Sequence, residues 1–478
     1  MRAYSKLRYA ALYLLSMSVM GVLVPAGAAV PEREAARLQD ELSPVGAVRA
    51  AGQLRQAEVP RRSKRGLSDL ADEFEEIVDP PTRVGAWPDL ADTAQLRSEA
   101  PLFAITAATL NRYRDYLTAS HFALLQTNPN TFFMNVYPSR RTVRWPEAIE
   151  RATIANATRC TLEGTDTPVG CRLGFPFPIP QSGAEVIWNH KLRWRGDAIS
   201  QINSQLVVRP DGNHSITRLA EDFVFDYANL ANPGRLDRER RSIYRYLSRV
   251  LSPPRIAGHA VLIHERSGVG SYGRMAWQYR PGDPRQRRAP EAAFDQVYEG
   301  ADGLQFFDQI DVFNGALERY DWTLVGRREI FVPYNAVLLD DASSRPEEIV
   351  HPTHLNPKVL RYELHRVWVV EATLRPGQRH AIRKRRFYVD EDSWTILCVD
   401  MLDNYGDAYQ FQEAHIVYEP QMQRPRLVAN VIYNRESTRY LVSGLRLDGP
   451  PVDAPAFAPG HFEPATLESR GSAATAKR

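Results

Sequence analysis

Three things are scarce in this sequence: cysteine, an excess of charge of one sign, and long uncharged hydrophobic runs. The 478 residues include 3 cysteines, and 60 lysines and arginines stand against 57 aspartates and glutamates. Because the charges nearly balance, the sequence does not predict a nucleic-acid partner. After the N-terminal segment, no uncharged apolar stretch is as long as a membrane-spanning helix, which needs about 20 residues, so we do not expect an integral membrane protein.

The N-terminus has the layout of a signal peptide. A basic start, MRAYSKLRYA, precedes an apolar stretch that ends near Val24, and Ala26-Gly27-Ala28 supplies the small residues that a signal peptidase recognises. We predict a signal peptide over residues 1–28, cleavage near Ala28 and a periplasmic location. The alternative is an uncleaved anchor, although the apolar stretch is short for a span. Since no cysteine stands directly after the apolar stretch, where a lipid would be attached, a lipoprotein is not predicted.

The few cysteines are spaced informatively. Cys160 and Cys171 flank the turn-rich segment TLEGTDTPVG, which can bring them together. In an oxidising periplasm we predict a disulfide between them. Cys398 lies within WTILCVDM, between Leu397 and Val399, and is predicted to be a buried strand thiol and not a reactive one.

No glycine- and serine-rich linker divides the chain, so one large body is expected. Helical patterns occur early, at 31–42, 109–125 and 146–159, and from about residue 184 apolar side chains recur with the period of a strand. The sequence predicts three regions after the signal peptide: an N-terminal helical region with the start of the sheet at 29–160, a large antiparallel β body at 161–448, and a disordered tail rich in proline, alanine and serine at 449–478.

Short turns join successive strand patterns in the β body. The turns Asp211-Gly212-Asn213 and 390–392 each lie between two alternating runs, and each predicts a hairpin. The segment 185–196, EVIWNHKLRWRG, also alternates and is interpreted as a strand. The resulting fold class is mainly β with helices (α+β), with a large curved antiparallel sheet or half-open β-barrel covered by helices, because so many twisted strands cannot stay flat.

Alternation also predicts which side chains face inward. In segment 361–374, Leu364, Trp368 and Val370 share a face predicted to be dry, while Glu363 and His365 share one predicted to be wet. A curled sheet with aromatic side chains turned inward leaves room for an apolar ligand. We predict that such a ligand is bound by the inward-facing residues Trp188, Leu192, Trp194, Phe223, Phe225, Leu364, Arg366, Trp368, Val370, Tyr388 and Trp394.

Charged residues alternate with these apolar ones. The ladder of Arg361, Glu363, His365 and Arg366, together with the acidic turn 390–392, predicts cross-strand ion pairs that fix register. Arg366 lies on the otherwise apolar face, where an unpaired charge is costly. It is therefore either paired with an acid or placed to meet a ligand head group.

Motifs for catalysis are weak. His351, His354, His365 and His380 lie near acidic residues, but HPTHLNP is a proline-rich loop in which histidines more often bond the backbone than a metal. The glycine-rich GVGSYG at 268–273 lacks the strand and helix of a nucleophile elbow or phosphate loop. We predict no catalytic residue, no metal and no cofactor, and therefore not an enzyme.

Four segments carry a family resemblance: 175–196, 315–336, 351–374 and 385–396. They resemble exported bacterial proteins of domain-of-unknown-function family 1329, described as outer-membrane lipoprotein-sorting-like. The resemblance covers nearly the whole mature chain, and the His354–Glu371 block is its most specific part. It implies a fold similar to periplasmic lipoprotein carriers of the LolA and LolB type, a hydrophobic ligand, and service to an RND-type exporter or an outer-membrane acceptor.

The sequence thus predicts a periplasmic carrier that shields a lipid or other hydrophobic molecule. The loop around His351, His354 and Asn356 is predicted to act as its lid. One alternative is a periplasmic hydrolase or metal enzyme. The other is a structural partner of an export complex that has no ligand of its own.

Overall fold

The computed structural model describes residues 29–52, 82–283, 285–289, 294–447, 449–450 and 452–467. The predicted signal peptide, residues 1–28, lies outside this part of the chain. Of the helices described, none combines the length and the apolar character needed to cross a bilayer.

Helices are short and lie mainly in the first 200 residues. The α-helices are α1 (Glu32–Ala35), α2 (Thr93–Ser98), α3 (Ala119–Thr127), α4 (Glu147–Ala157), α5 (Gly183–Leu192) and α6 (Pro346–Ile349). The 3₁₀ turns are Ala36–Gln39, Leu110–Tyr116, Gly270–Tyr272, Phe307–Gln309 and Pro357–Val359. The helix predicted over 109–125 is interrupted at Leu117, whose backbone is extended, and Thr118 then caps α3 by accepting a hydrogen bond from His121 N at 3.0 Å.

Strands make up most of the rest. They are β1 (Phe103–Ile105), β2 (Met134–Tyr137), β3 (Thr161–Glu163), β4 (Thr167–Val169), β5 (Cys171–Arg172), β6 (Ala198–Val208), β7 (His214–Phe225), β8 (Arg235–Leu236), β9 (Ser242–Ser252), β10 (Ala260–Arg266), β11 (Met275–Tyr279), β12 (Arg287–Arg288), β13 (Tyr320–Pro333), β14 (Tyr362–Leu374), β15 (Lys384–Asp390), β16 (Ile396–Leu402), β17 (Ala408–Glu419), β18 (Arg424–Asn434) and β19 (Tyr440–Leu445).

Fifteen of these strands form one sheet. From β14, which also pairs with β13, the order runs β15, β16, β17, β18, β19, β6, β7, β9, β10, β11 and β12. Neighbouring strands are antiparallel except for a short parallel contact between β14 and β2. The described strands do not pair β12 with β13 or β1, so the sheet is open. The predicted mainly β, α+β class with a large, incompletely closed antiparallel sheet is confirmed, as are both predicted hairpins, β6–β7 and β15–β16.

The strand predicted at 185–196 is wrong, because residues 185–192 belong to helix α5. Ser182 caps the helix by accepting a hydrogen bond from Glu185 N at 3.3 Å, and Glu185 accepts one from Gln181 N at 2.6 Å. All ten helical residues are buried, so the helix has no polar face to produce a period of 3.6. Trp188 and Leu192 therefore lie on a helix, and Trp194 follows it.

The wet face predicted for β14 is also wrong, because both faces of the strand are buried between Tyr362 and Val370. His365 stacks on Tyr334 with ring centroids 3.8 Å apart, and Glu363 accepts a hydrogen bond from Arg140 N at 2.7 Å. Polar side chains on this face are thus satisfied by protein partners and not by water.

The tail predicted to be disordered is partly ordered. Asp453 forms a bridge with Ser200, and Phe462 and Leu467 are buried against Leu247 and Leu262 on the outer face of β9 and β10. The apolar groups Phe462 and Leu467 provide the burial that holds this proline-rich segment in place.

Candidate functional site: a cavity on the inner face of the sheet

A cavity of about 120 Å³ lies between β6, β7, β18 and β19. Odd-numbered residues of β6 and β7 face it, and the register pairs Ile199 with Phe223 and Gln201 with Glu221. The segment 298–311 lies over these strands on the same side. The hydroxyls of Tyr298 and Tyr246 are 2.9 Å apart, and this hydrogen bond ties the covering segment to β9.

The mouth of the cavity is apolar. Ile199, Phe223, Ile310 and Leu427 line it and are only half-buried, whereas Phe225 beside them is buried. The rings of Phe223 and Phe225 are parallel within 4°, with centroids 6.1 Å apart. Apolar side chains left half-exposed on the inner face of a sheet can bury further surface against a ligand.

Arginines surround this apolar mouth. Arg193 and Arg195 both pair with Asp311, and the guanidinium of Arg195 lies 4.5 Å above the ring of Phe225. Arg424 and Arg426 both pair with Glu419. Burial alone would raise the pKa of Asp311, but the two arginines beside it hold that pKa below its usual range. Asp311 is therefore ionised.

The inner end of the cavity is polar. It is lined by side chains that are all buried: Asn203, Gln205, Glu221, Tyr298, Gln305, Asn430 and Ser443. Burial raises the pKa of Glu221, whose carboxylate accepts hydrogen bonds from Gln201 at 2.9 Å and Tyr246 at 2.8 Å. The wall of the cavity therefore changes from apolar at the mouth to amide-rich at the floor.

Two of the predicted ligand-binding residues, Phe223 and Phe225, line this cavity. Eight others lie in the packed interior, outside the cavity lining: Leu192, Trp194, Leu364, Arg366, Trp368, Val370, Tyr388 and Trp394. The indole N–H of Trp394, for example, donates a hydrogen bond to Val45 O at 2.9 Å. The protein's own segments fill the space that the sequence assigned to a ligand.

A second cavity, of about 310 Å³, lies between α5 and the glycine-rich segment that follows β10. Trp188 lines it, as do Gly268, Gly270 and Gly273 of the GVGSYG motif. The buried Lys191 on its wall is already paired, because it contacts Glu265 at 3.3 Å and donates to the carbonyl of Gly315 at 2.7 Å. The motif thus forms a cavity wall, and it is followed by β11, not by a helix.

The predicted lid loop lies away from the first cavity. His354 is buried and bonds Leu355 O at 2.7 Å and Thr131 at 2.9 Å, while Asn356 donates to Glu348 O at 2.8 Å. His351 is half-buried, and its carbonyl accepts from Tyr440. These contacts pin the loop to neighbouring backbone, and neither His351, His354 nor Asn356 lines the cavity.

Arg366 is paired with acids, which decides between its two predicted roles. It lies 3.4 Å from Glu329 and 3.5 Å from Glu391, and it donates to the carbonyls of Ala50 and Gly52. The N-terminal segment thereby closes over this face of β14. The guanidinium is buried, so it is not available to a ligand head group.

Among the described residues, one group has the spacing of metal ligands: His365, Asp390 and Asp392, whose ligand atoms lie within 4.8 Å of one another. Both carboxylate oxygens of Asp392 already accept hydrogen bonds from Arg141, at 2.6 and 2.8 Å. A metal would have to displace this bidentate pair. The group is better described as an ion-pair network that holds β14 and the 390–392 turn together.

The predicted disulfide between Cys160 and Cys171 is present, and Cys398 is buried on β16 as expected. What sequence inspection missed is the polar floor and the arginine rim of the first cavity. Arg193 and Arg195 alternate with Trp194 in the misassigned segment, and β9, which flanks the cavity, was not predicted as a strand.

The fold and the cavity together define a mainly β protein of the α+β class, with an open antiparallel sheet that keeps a part-apolar cavity on its inner face. The chain belongs to the family described as "Protein of unknown function (DUF1329)", whose model matches residues 104–468. Uncharacterized protein PA3922 of Pseudomonas aeruginosa is 36% identical over 443 residues, which cover 91% of each chain.

Two solved structures have partial similarity to this chain, at low sequence identity. A DUF1329 family protein from Desulfovibrio piger is 12% identical with a TM-score of 0.39, over 57% of this chain and 91% of the other. The LolA superfamily protein NE2245 from Nitrosomonas europaea is 11% identical with a TM-score of 0.36, over 59% and 98%.

Proposed function

We propose that this protein is a periplasmic binding or carrier protein for a hydrophobic molecule, which it holds in the cavity on the inner face of the sheet. The observation that carries the proposal is the apolar mouth formed by Ile199, Phe223, Ile310 and Leu427, whose side chains are half-buried on a face that is otherwise interior. Burying each further methylene there is worth about 0.8 kcal/mol.

The size of the cavity limits how the ligand is held. Pockets that enclose most of a small molecule measure about 300–1,000 Å³, and this one measures about 120 Å³. The protein therefore encloses part of its ligand, and the remainder extends past the mouth. Partial enclosure suits a molecule that must be passed on to another protein or to a membrane.

The periplasmic location rests on the predicted signal peptide and on the disulfide between Cys160 and Cys171, a bond that persists in oxidising compartments. An RND-type exporter or an outer-membrane acceptor as the partner is part of the same proposal. Nothing in this role requires a catalytic group.

The variant Phe223→Asp tests the proposal. A carboxylate on the cavity wall opposes burial of an apolar ligand. In a titration with a hydrophobic fluorescent probe, we therefore expect the affinity to fall at least about tenfold, which corresponds to about 1.4 kcal/mol. Native mass spectrometry of protein isolated from its own periplasm should show a bound mass that Phe223→Asp loses.

Leu251→Asp is the matched control, because Leu251 is 40% exposed on β9 and its position in the strand alternates with the inward-facing residues. It should leave probe binding unchanged. If both variants bind the probe as well as the parent protein does, the cavity is not the binding site and the proposal fails.

A further inference from the structure

The polar floor of the cavity is unsuited to an alkyl chain. Five amide or hydroxyl side chains line it, Asn203, Gln205, Gln305, Asn430 and Ser443, and all are buried. A hydrocarbon placed against them would offer no hydrogen bond, and each unmet polar group costs about 1–3 kcal/mol. The end of a ligand that reaches this floor must itself be polar.

Unpaired atoms on the lining residues indicate what that polar end contains. Within the described part of the chain, Oε1 of Gln205 and Oε1 of Gln305 are buried and have no hydrogen-bond donor, and Nε of Arg195 is buried and has no acceptor. All three residues line the cavity, so a ligand held in it lies beside them. Two carbonyl oxygens call for ligand donors such as hydroxyls, and a guanidinium N–H calls for an acceptor.

The arginine rim carries a surplus of positive charge. The ion-pair network at the cavity contains five arginines, Arg193, Arg195, Arg424, Arg426 and Arg446, against three carboxylates, Asp311, Glu419 and Asp340. Glu221 on the floor adds a fourth carboxyl group. One positive charge is therefore not matched at the cavity. Because charges removed from water need a counter-charge, an anionic group of a ligand would be stabilised here.

Resting on the proposed function, we infer that the ligand is an anionic amphiphile that binds head first. The hydroxyl donors of its head group meet the amide-lined floor, its acidic group meets Arg195 at the rim, and its apolar body leaves past Phe223 and Leu427. This orientation places the polar end, and not the alkyl end, inside the protein. It also explains why a cavity of about 120 Å³ suffices.

Three probes with the same twelve-carbon tail test the inference by isothermal titration of the full-length mature protein: lauroyl lysophosphatidic acid, which has a phosphate and a hydroxyl, dodecyl phosphate, which has the phosphate alone, and 1-dodecanol. We expect the affinity to fall in that order, with at least about tenfold between the first and the last. Inorganic phosphate should not displace the first probe, because it lacks the apolar body.

Arg195→Gln should remove most of the preference for the phosphorylated probes over 1-dodecanol. Gln205→Met, which keeps the side-chain length, should remove the preference for lysophosphatidic acid over dodecyl phosphate. Arg245→Gln is the control, because Arg245 lies on the opposite face of the sheet and pairs with Asp226 at 2.9 Å.

The failures of the two proposals are distinguishable. If all three probes bind equally and Phe223→Asp weakens them all, the carrier function stands and the head-first inference is overturned. If none of the probes binds and no mass is carried by protein from the periplasm, both are overturned. Displacement by inorganic phosphate alone would show a simple anion site and would also overturn the inference.

Discussion

At Asp390, burial and the neighbouring charge of Asp392 raise the pKa of the carboxyl to about 6. The oxygen Oδ2 accepts hydrogen bonds from Ser393 N at 2.8 Å and from Tyr334 at 3.2 Å, while Oδ1 is buried without a donor among the described residues. The folded pKa lies above the unfolded value of 3.8. The group therefore favours folding most below about pH 4, and this contribution is lost as the pH rises to about 6.

Asp390→Asn should remove this pH dependence. The amide oxygen can accept from Ser393 N, but the side chain carries no charge at any pH, so we expect the free energy of unfolding at pH 8 to exceed that of the parent protein by about 3 kcal/mol. At pH 4 the two should be nearly equal. Urea unfolding at both pH values measures the difference.

Asp392→Asn is the contrasting variant, because it breaks the bidentate pair with the buried Arg141. Loss of one partner of a buried ion pair costs about 3–5 kcal/mol, so this variant should be destabilised at both pH values. Equal stability of Asp390→Asn and the parent protein at pH 8 would contradict a destabilising charge on Asp390.

Residue patterns alone predicted which side chains are large and apolar but not which of them stay accessible. Phe223 and Trp368 look alike in the sequence, since each is an aromatic residue within a segment predicted to be a strand. In the structure, Phe223 is half-buried in the cavity and Trp368 is covered by the guanidinium of Arg327, 4.6 Å above its ring. The covering group comes from another strand, so no local pattern could reveal it.

At the scale of elements, the most important difference between prediction and structure is helix α5, where the sequence pattern predicted a strand. A helix buried on all sides has no amphipathic period, and its alternating letters imitate a strand. The Ser182-x-x-Glu185 spacing is the signal that could have found it, because serine followed three residues later by glutamate marks a helix start. The strands with a wet or half-buried face, β6, β7, β10 and β11, were predicted well.

Gly183→Ala tests the packing of this helix. A Cβ at Gly183 would lie 2.8 Å from Cγ1 of Val370 and 3.0 Å from the backbone carbonyl carbon of Thr323. Helix propensity alone predicts a gain of about 1 kcal/mol for alanine, whereas overpacking predicts a loss of about 1–3 kcal/mol. We expect the loss in chemical denaturation, and a gain would contradict the close approach of α5 to β13 and β14.

At the scale of the whole molecule, the C-terminal segment covers part of the outer face of the sheet. Phe462 and Leu467 pack against Leu247, Leu262 and Tyr279, and His264 bonds the carbonyl of Phe462 at 2.7 Å. The apolar strip on β9 to β11 would otherwise face water. The composition of the segment, rich in proline and alanine, gave no hint of this, because two apolar anchors decide its position.

Ending the chain at Ala456 should expose this strip. Each lost apolar anchor is worth about 1.5–3 kcal/mol, so we expect a lower thermal midpoint and increased binding of a dye for exposed apolar surface. A chain that ends at Leu467 keeps both anchors and is the control. Identical midpoints for the two truncated chains would contradict a structural role for the segment.

The sequence by itself determined most of the strands, though not β9 or the helix α5, and also the two hairpin turns, the antiparallel order that short turns require, and the pairing of Cys160 with Cys171. Each of these depends on residues close together in the chain. The tertiary structure alone decided which inward-facing side chains remain accessible. Alternation fixes which residues share a face of a sheet, but what covers that face comes from distant segments, here 43–52, α5 and 298–311. Segment 43–52 and α5 fill the space over β14, while 298–311 covers β6, β7, β18 and β19 and leaves the apolar mouth and polar floor open between them.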